Sequence, residues 1–347
     1  MKKTIFSLLM MASALFLNAQ FNSEKDPYMT KSLTSESLQK VNVETSGGSI
    51  SVTGVSASEA RIEVYVRPNN GRNESLSKEE LKKRLDEDYT LEVSVAGGQL
   101  TAIAKQRKDF SNWKRSLSIS FRVYVSHDMN TKLRTSGGSI ALENLSGSQD
   151  FSTSGGSLSV EKVSGQINGR TSGGSISVID SKDEIDLSTS GGSIEAKNCQ
   201  GNLELSTSGG SLRLKDLKGN IKAKTSGGSV DGDNIEGELY AHTSGGSVDL
   251  SELACSVETS TSGGNIDVSI KQLGKFVRID NSGGNISLQL PKDKGVNLDL
   301  RGNKIKVDPL TNFSGSKDDD SLDGTLNGGG IPVRVRAGSG RISLTTK

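Results

Sequence analysis

From Thr135 to Leu290 the aliphatic residues keep to fixed places. Counted from the threonine of each T-S-G-G word, they stand at positions 6 and 8, at 11, and at 15 and 17, with polar residues between them. One unit shows the whole set as Leu212, Leu214, Leu217, Ile221 and Ala223. A spacing of two is strand periodicity, because successive side chains of a strand point to opposite faces. Each unit therefore predicts two short strands. Gly-Gly at positions 3 and 4 predicts one turn, with positive φ expected there. A second turn is predicted near position 13, where Gly147, Gly165, Gly201, Gly219 and Gly237 recur.

The words TSGGSI, TSGGSL, TSGGSV and TSGGNI begin at Thr135, Thr153, Thr171, Thr189, Thr207, Thr225, Thr243 and Thr261, each 18 residues after the last. An isolated copy starts at Thr45, a degenerate one at Asn281 and a remnant at Gly338. The aliphatic residues of one lap contribute about 1.5–3 kcal/mol each when buried. That cannot offset an ordering entropy of about 1.5 kcal/mol for every residue of the lap. A lap is thus stable only against its neighbours, which is why the units run uninterrupted. The expected fold is all-β: a single-stranded β-solenoid, or β-helix, with 18-residue laps. Stacking at about 4.8 Å per lap would bring Thr at position 1 and Ser at positions 2 and 5 into hydroxyl ladders. The step from Thr261 to Asn281 is 20, which predicts a two-residue bulge within Lys271–Phe276.

Outside the array the pattern changes. Residues 1–20 combine the cationic start Met1–Thr4, the apolar run Ile5–Leu17 and a polar exit, and read as a signal peptide cleaved after Ala19 or Gln20. The apolar run is too short for a transmembrane helix, which needs about 20 residues, and no integral membrane segment is expected afterwards. Residues 21–54 form an N-terminal segment with the first lap. Residues 55–134 read as a β-rich cap, with strands near Arg61–Val66, Tyr89–Val95, Gln99–Ala104 and Leu117–Val125 and a short helix at Lys78–Glu87. The regular solenoid spans 135–290. Residues 291–347 form C-terminal laps and a cap with a polar loop at 309–330, closed by Ile331–Val335 and Arg341–Leu344.

Composition narrows the function. With 41 glycines but only 5 prolines in 347 residues, the chain is neither collagen nor an ordinary disordered polymer. The 42 Lys+Arg against 41 Asp+Glu leave no basic field, so no nucleic-acid partner is expected. Loss of Lys2 and Lys3 with the signal peptide takes the formal charge from +1 to −1.

The export signal, the strand-rich leader ending in VYVSHDMNTKLRTSGGSI and the tandem T-S-G-G-S-[ILV] laps resemble the bacterial adhesin-like family of unknown function, particularly its Bacteroidetes members, over roughly residues 38 to 347. The resemblance implies the solenoid and an adhesin role inferred from architecture. It implies no catalytic residues.

Candidate chemistry is sparse. Cys199 and Cys255 lie three laps apart, about 14 Å at the lap spacing, beyond the ~7 Å between Cα atoms that a disulfide allows; both are expected free and buried. His127 and His242 lack any neighbouring catalytic motif. Tyr240 and His242 share an outward strand and make a small amphipathic spot, a candidate binding site together with Trp113, which is accompanied in the leader by Phe110 and Tyr89. At position 7, Asp231, Asp249 and Asp267 fall on successive laps, where a divalent cation would relieve their repulsion; they are the candidate metal column. Positions 7, 9, 14 and 16 face outward and are mixed polar throughout. From Thr135 to Leu290 the only aromatic residues are Phe151, Tyr240 and Phe276, too few for the sugar platforms of a polysaccharide-active β-helix enzyme. No cofactor is expected. The expected function is a non-catalytic cell-envelope protein, exported to the periplasm or cell surface, acting as an adhesin or interaction scaffold toward an envelope or surface protein or glycan. The alternatives are a structural envelope spacer without specific ligand and the β-helix enzyme.

Overall fold

The computed structural model describes residues 26–69, 76–107 and 113–347, with the side chain of Trp113 outside that set. The expected signal peptide and Phe110 therefore lie outside the described residues.

Each lap lays one strand on each of two faces. Ile194–Lys197 (positions 6 to 9) runs on one face and Gln200–Thr207 (positions 12 to 1) on the other. From Leu212 onward the two join into continuous strands, Leu212–Thr225, Val230–Thr243 and Val248–Thr261. Neighbouring laps pair in parallel and in register, Leu203 with Ile221 and Ile194 with Leu212. The five aliphatic columns point inward, and Leu212, Leu214, Leu217, Ile221 and Ala223 are all buried. This is the expected β-solenoid, with one continuous apolar core from Leu33 to Leu344.

The two corners use different physics. At position 10 a non-glycine residue adopts left-handed φ, between 51 and 58°: Asn144, Asp180, Asn198, Asp216 and Asn234, and also Lys162 and Glu252. Short Asn and Asp side chains tolerate this conformation best. The glycines at position 13 lie at φ 98–127°. This corner is therefore a pair of left-handed kinks on either side of buried position 11.

The T-S-G-G corner departs from expectation, because neither of its glycines has left-handed φ. Its second glycine is required by close approach between laps: a Cβ on Gly192 would stand 2.1 Å from the Gly174 carbonyl oxygen. Its first is not, since a Cβ on Gly191 would meet nothing nearer than 3.5 Å. The threonine hydroxyls also do not bond one another as expected. Thr189 Oγ1 donates to Gly174 O of the preceding lap (2.8 Å) and accepts from Gly192 N of its own (3.2 Å), linking the second glycines of two successive laps. Serine at position 5 likewise accepts from backbone, with Ser193 N donating to Ser175 Oγ at 3.3 Å. The backbone polar groups win because a buried N–H or C=O left without a partner carries its full desolvation cost.

The bulge falls where expected. Cys255 pairs with Leu273 and Val257 with Val277, so Gly274, Lys275 and Phe276 stand opposite Ser256 alone, whose Oγ accepts from Lys275 N at 2.8 Å.

At each end the lap order departs from chain order. Lys40–Thr45 pairs directly with Asn130–Thr135 on one side and with Gln99–Gln106 on the other. Ile50–Gly54 is likewise held between Ile140–Glu143 and Leu117–Val125. The segment expected as a separate cap thus adds a further lap outside the first one. It is covered in turn by the antiparallel strands Arg61–Pro68 and Tyr89–Ala96 and carries the helix Lys78–Asp88, capped by Ser77 Oγ accepting from Glu80 N. The other end mirrors this arrangement. Ile331–Ala337 lies between the end of Ile266–Asn281 and Val296–Arg301, and Arg341–Thr346 between Ile286–Leu290 and Lys304–Val307. Ile331–Val335 and Arg341–Leu344 therefore do not close the stack; Val296–Val307 lies beyond them. The polar stretch 309–330, expected as a loop, contains the antiparallel strands Phe313–Lys317 and Ser321–Leu326, which cover that outer lap. Asp299 fastens the inserted lap: Arg336 Nη2 and Nη1 reach its two carboxylate oxygens at 2.6 and 3.0 Å.

Candidate functional site

The face built from positions 12 to 1 carries a long shallow trough. Position 15 points inward, so its backbone forms the floor over buried Ile167, Ile185 and Leu203. Positions 14 and 16 point outward on either side and form the walls. Gln166, Glu184, Asn202 and Asn220 line one wall; Asp150, Asn168, Asp186, Glu204 and Lys222 line the other, around a volume of about 660 Å³. At Ser148 this space meets a second one of about 360 Å³, lined by Gln99, Lys40 and Asn130 at position 14 and by Asn42 and Lys132 at position 16. The walls thus continue across the N-terminal laps that register pairing brings into line.

One wall is a chain of hydrogen bonds along the stack. Asn202 Nδ2 donates to Glu184 Oε1 at 2.6 Å, and Asn220 Nδ2 donates to Asn202 Oδ1 at 2.9 Å. Ser148 N donates to Asn130 Oδ1 at 2.8 Å. On the other wall Asp150 accepts from Arg134 at 2.5 Å and Glu204 from Lys222 at 2.7 Å, so these charges are compensated in place. A buried polar pair, Gln149 and its register partner Thr131, sits in the floor among otherwise aliphatic residues. The Gln149 amide is satisfied by Thr131 Oγ1, Met129 O and Ser146 O at 2.7, 2.7 and 3.3 Å. The recurrence of Asn and Gln at position 14 was visible in the sequence, but mixed polar columns do not reveal which of them face one another across a hollow.

The other expected residues fall elsewhere. Tyr240 is the register partner of Lys222 and stands one rung past this end of the trough, with Lys224 Nζ 5.3 Å from its ring centroid. His242 Nδ1 lies 2.8 Å from Ser260 Oγ. Trp113 opens the short turn Trp113–Arg115 in the leader, away from both. Asp231, Asp249 and Asp267 are register partners on the opposite face. Burial and the neighbouring Asp249 charge hold the Asp267 carboxyl above its usual range, against a hydrogen bond from Ser287. Among the described residues, no three or more His, Cys, Asp or Glu are grouped to hold a metal ion. Cys199 and Cys255 are free and buried. Burial pushes both thiols up, Cys255 to about 12, which suppresses the reactive thiolate. No described helix is long and apolar enough to cross a membrane.

Three solved structures align along most of this chain at 12% identity. One, described provisionally as a cell adhesion protein, is from Clostridium sporogenes (92% of this chain, 98% of that one, TM-score 0.19). Another, from Bacteroides fragilis, is provisionally an adhesin (92% and 96%, TM-score 0.24). A third, from Parabacteroides distasonis, is provisionally a lipid binding protein (91% and 96%, TM-score 0.29). No curated protein matches the sequence. Residues 175–345, laps that continue in the same register to the N-terminal side, match the family described as Toastrack DUF4097, a domain of unknown function.

Proposed function

We propose that the chain is an exported, non-catalytic cell-envelope protein whose solenoid is a rigid scaffold for adhesion or molecular contact. The observation that carries this reading is the trough: side chains from many laps, held in register by parallel pairing, line one continuous polar surface along the stack. Such a surface is preorganised, so little ordering entropy opposes binding. The leader pattern of residues 1–20 supports export to the periplasm or cell surface. A spacer without specific ligand is the second reading, supported by the polar character of the outward columns.

Protease treatment of intact cells, followed by capture of envelope material on the purified protein, tests the proposal. Cleavage at the surface with saturable capture is the expected result. Protection in intact cells together with no saturable capture from any envelope fraction supports the spacer.

A further inference from the structure

We infer that the trough binds an extended, uncharged glycan chain lying along the solenoid axis; this rests on the scaffold reading above. The first argument is hydrogen-bond inventory. A side-chain amide has two donors and two acceptor lone pairs. Asn202 spends one donor on Glu184 and one lone pair on Asn220. One N–H and one lone pair remain on the same amide, in a plane fixed by the ladder. A sugar hydroxyl is both donor and acceptor, and an amide presenting both at once is its natural complement.

The second argument is charge. The carboxylates of Asp150 and Glu204 are neutralised by Arg134 and Lys222 within the same face. Asp186 lies 3.8 Å from Arg170, and Glu184 keeps its charge beside the Asn202 amide, so a polyanion would be repelled, whereas a neutral hydroxylated chain leaves the pairs intact. The third is shape. The hollow is open at the surface and elongated across laps spaced about 4.8 Å apart, so it fits a linear polymer better than a compact molecule. No aromatic residue lines it, and the Tyr, Trp and Arg anchors that dominate protein–protein contacts are missing from its walls. Affinity per sugar is accordingly weak and accumulates along the chain.

Electrophoresis of the purified protein through gels containing a linear neutral glucan, mannan or xylan tests this, with polygalacturonate as the acidic comparison. The expected result is retardation by at least one neutral polymer, little by polygalacturonate, and no loss on raising the salt. Combined Gln166→Ala, Asn202→Ala and Asn220→Ala substitution should weaken binding roughly fivefold per amide removed, about 1 kcal/mol each. Asn202→Asp, which keeps shape but removes the donor, should repeat the loss. Lys197→Ala with Lys215→Ala, on the opposite face, should change nothing. Retardation by none of the neutral polymers, abolition by salt, or undiminished retardation of the triple variant overturns the inference. So does capture, through the same three amides, of a protein in place of a glycan, an outcome that leaves the scaffold proposal standing.

Discussion

The ring of Phe151 fills the space that a side chain at Gly169 would need: a Cβ on Gly169 would come within 2.4 Å of Phe151 Cε2 and 2.7 Å of Leu187 Cδ2. The three are register partners in one inward column, so the large ring in one lap is matched by the missing side chain in the next. Gly169→Ala should destabilise the protein by about 1–3 kcal/mol through overpacking. Combined with Phe151→Leu it should cost less than the sum of the two single changes, because the smaller side chain vacates the contested space. Urea unfolding of the four species measures the coupling; strict additivity would disprove the relationship.

The two glycines of one T-S-G-G word should differ sharply. Gly192→Ala drives a methyl into the Gly174 carbonyl, whereas Gly191→Ala meets only ordinary contacts. The first should cost several times more than the second in thermal midpoint, and equal costs would mean that backbone conformation, not lap spacing, selects both residues.

Thr259 is buried in the core, and its Oγ1 has no hydrogen-bond partner. Thr259→Val keeps the shape and removes the unpaired hydroxyl, so it should stabilise by about 1 kcal/mol. Thr243→Val should do the opposite, since Thr243 Oγ1 bonds Gly228 O and Gly246 N at 2.7 and 3.2 Å. Differential scanning calorimetry of the pair reads both signs.

Asp267 has a raised pKa in the folded state, from burial first and Asp249 second. A raised carboxyl favours the folded state when protonated and disfavours it as pH rises through the folded pKa. Asp249→Asn should therefore raise stability at neutral pH by about 0.2–1 kcal/mol, with the gain vanishing in acid and shrinking at high salt. A fall in stability seen only with calcium present would instead identify a cation on the Asp231, Asp249 and Asp267 column.

The hydrogen bond from Arg336 holds the Asp299 carboxyl below its usual range. Its contribution is present above the unfolded value, about 3.9, and is lost as pH falls through the lower folded value. Asp299→Asn should cost about 1 kcal/mol at neutral pH, because the pair is partly exposed. It should also flatten that part of the acid-unfolding curve; an unchanged curve would show that the pair contributes nothing.

Much of this architecture was legible because one period ran through it. Inward columns such as Leu212, Leu214 and Ile221 follow from spacing alone, and the 20-residue step located the bulge within Lys271–Phe276, where Gly274–Phe276 form it. The left-handed residue at position 10 was not recognised, since Asn198 and Asp216 occupy it as readily as any turn. The role of Gly192 was misread because its constraint comes from the next lap, and a glycine required by proximity looks the same in sequence as one required by φ. The end laps were illegible for a related reason: Thr45 and Thr135 are in-register neighbours although separated by a long insertion. The trough needs the polar columns of several laps, the N-terminal ones included, to be brought into line by strand pairing, which the spacing of residues along the chain does not show.

Both terminal laps lie between two others, and this governs how the molecule yields to force. Tension on residue 347 cannot peel away an outermost strand. It must shear Arg341–Thr346 from partners on both sides at once, while Asp299 and Arg336 grip the adjoining strand. Segment 40–54 is clasped in the same way at the opposite pole. These clasped laps are therefore locked rather than zipped, since each leaves the stack only by breaking two seams together.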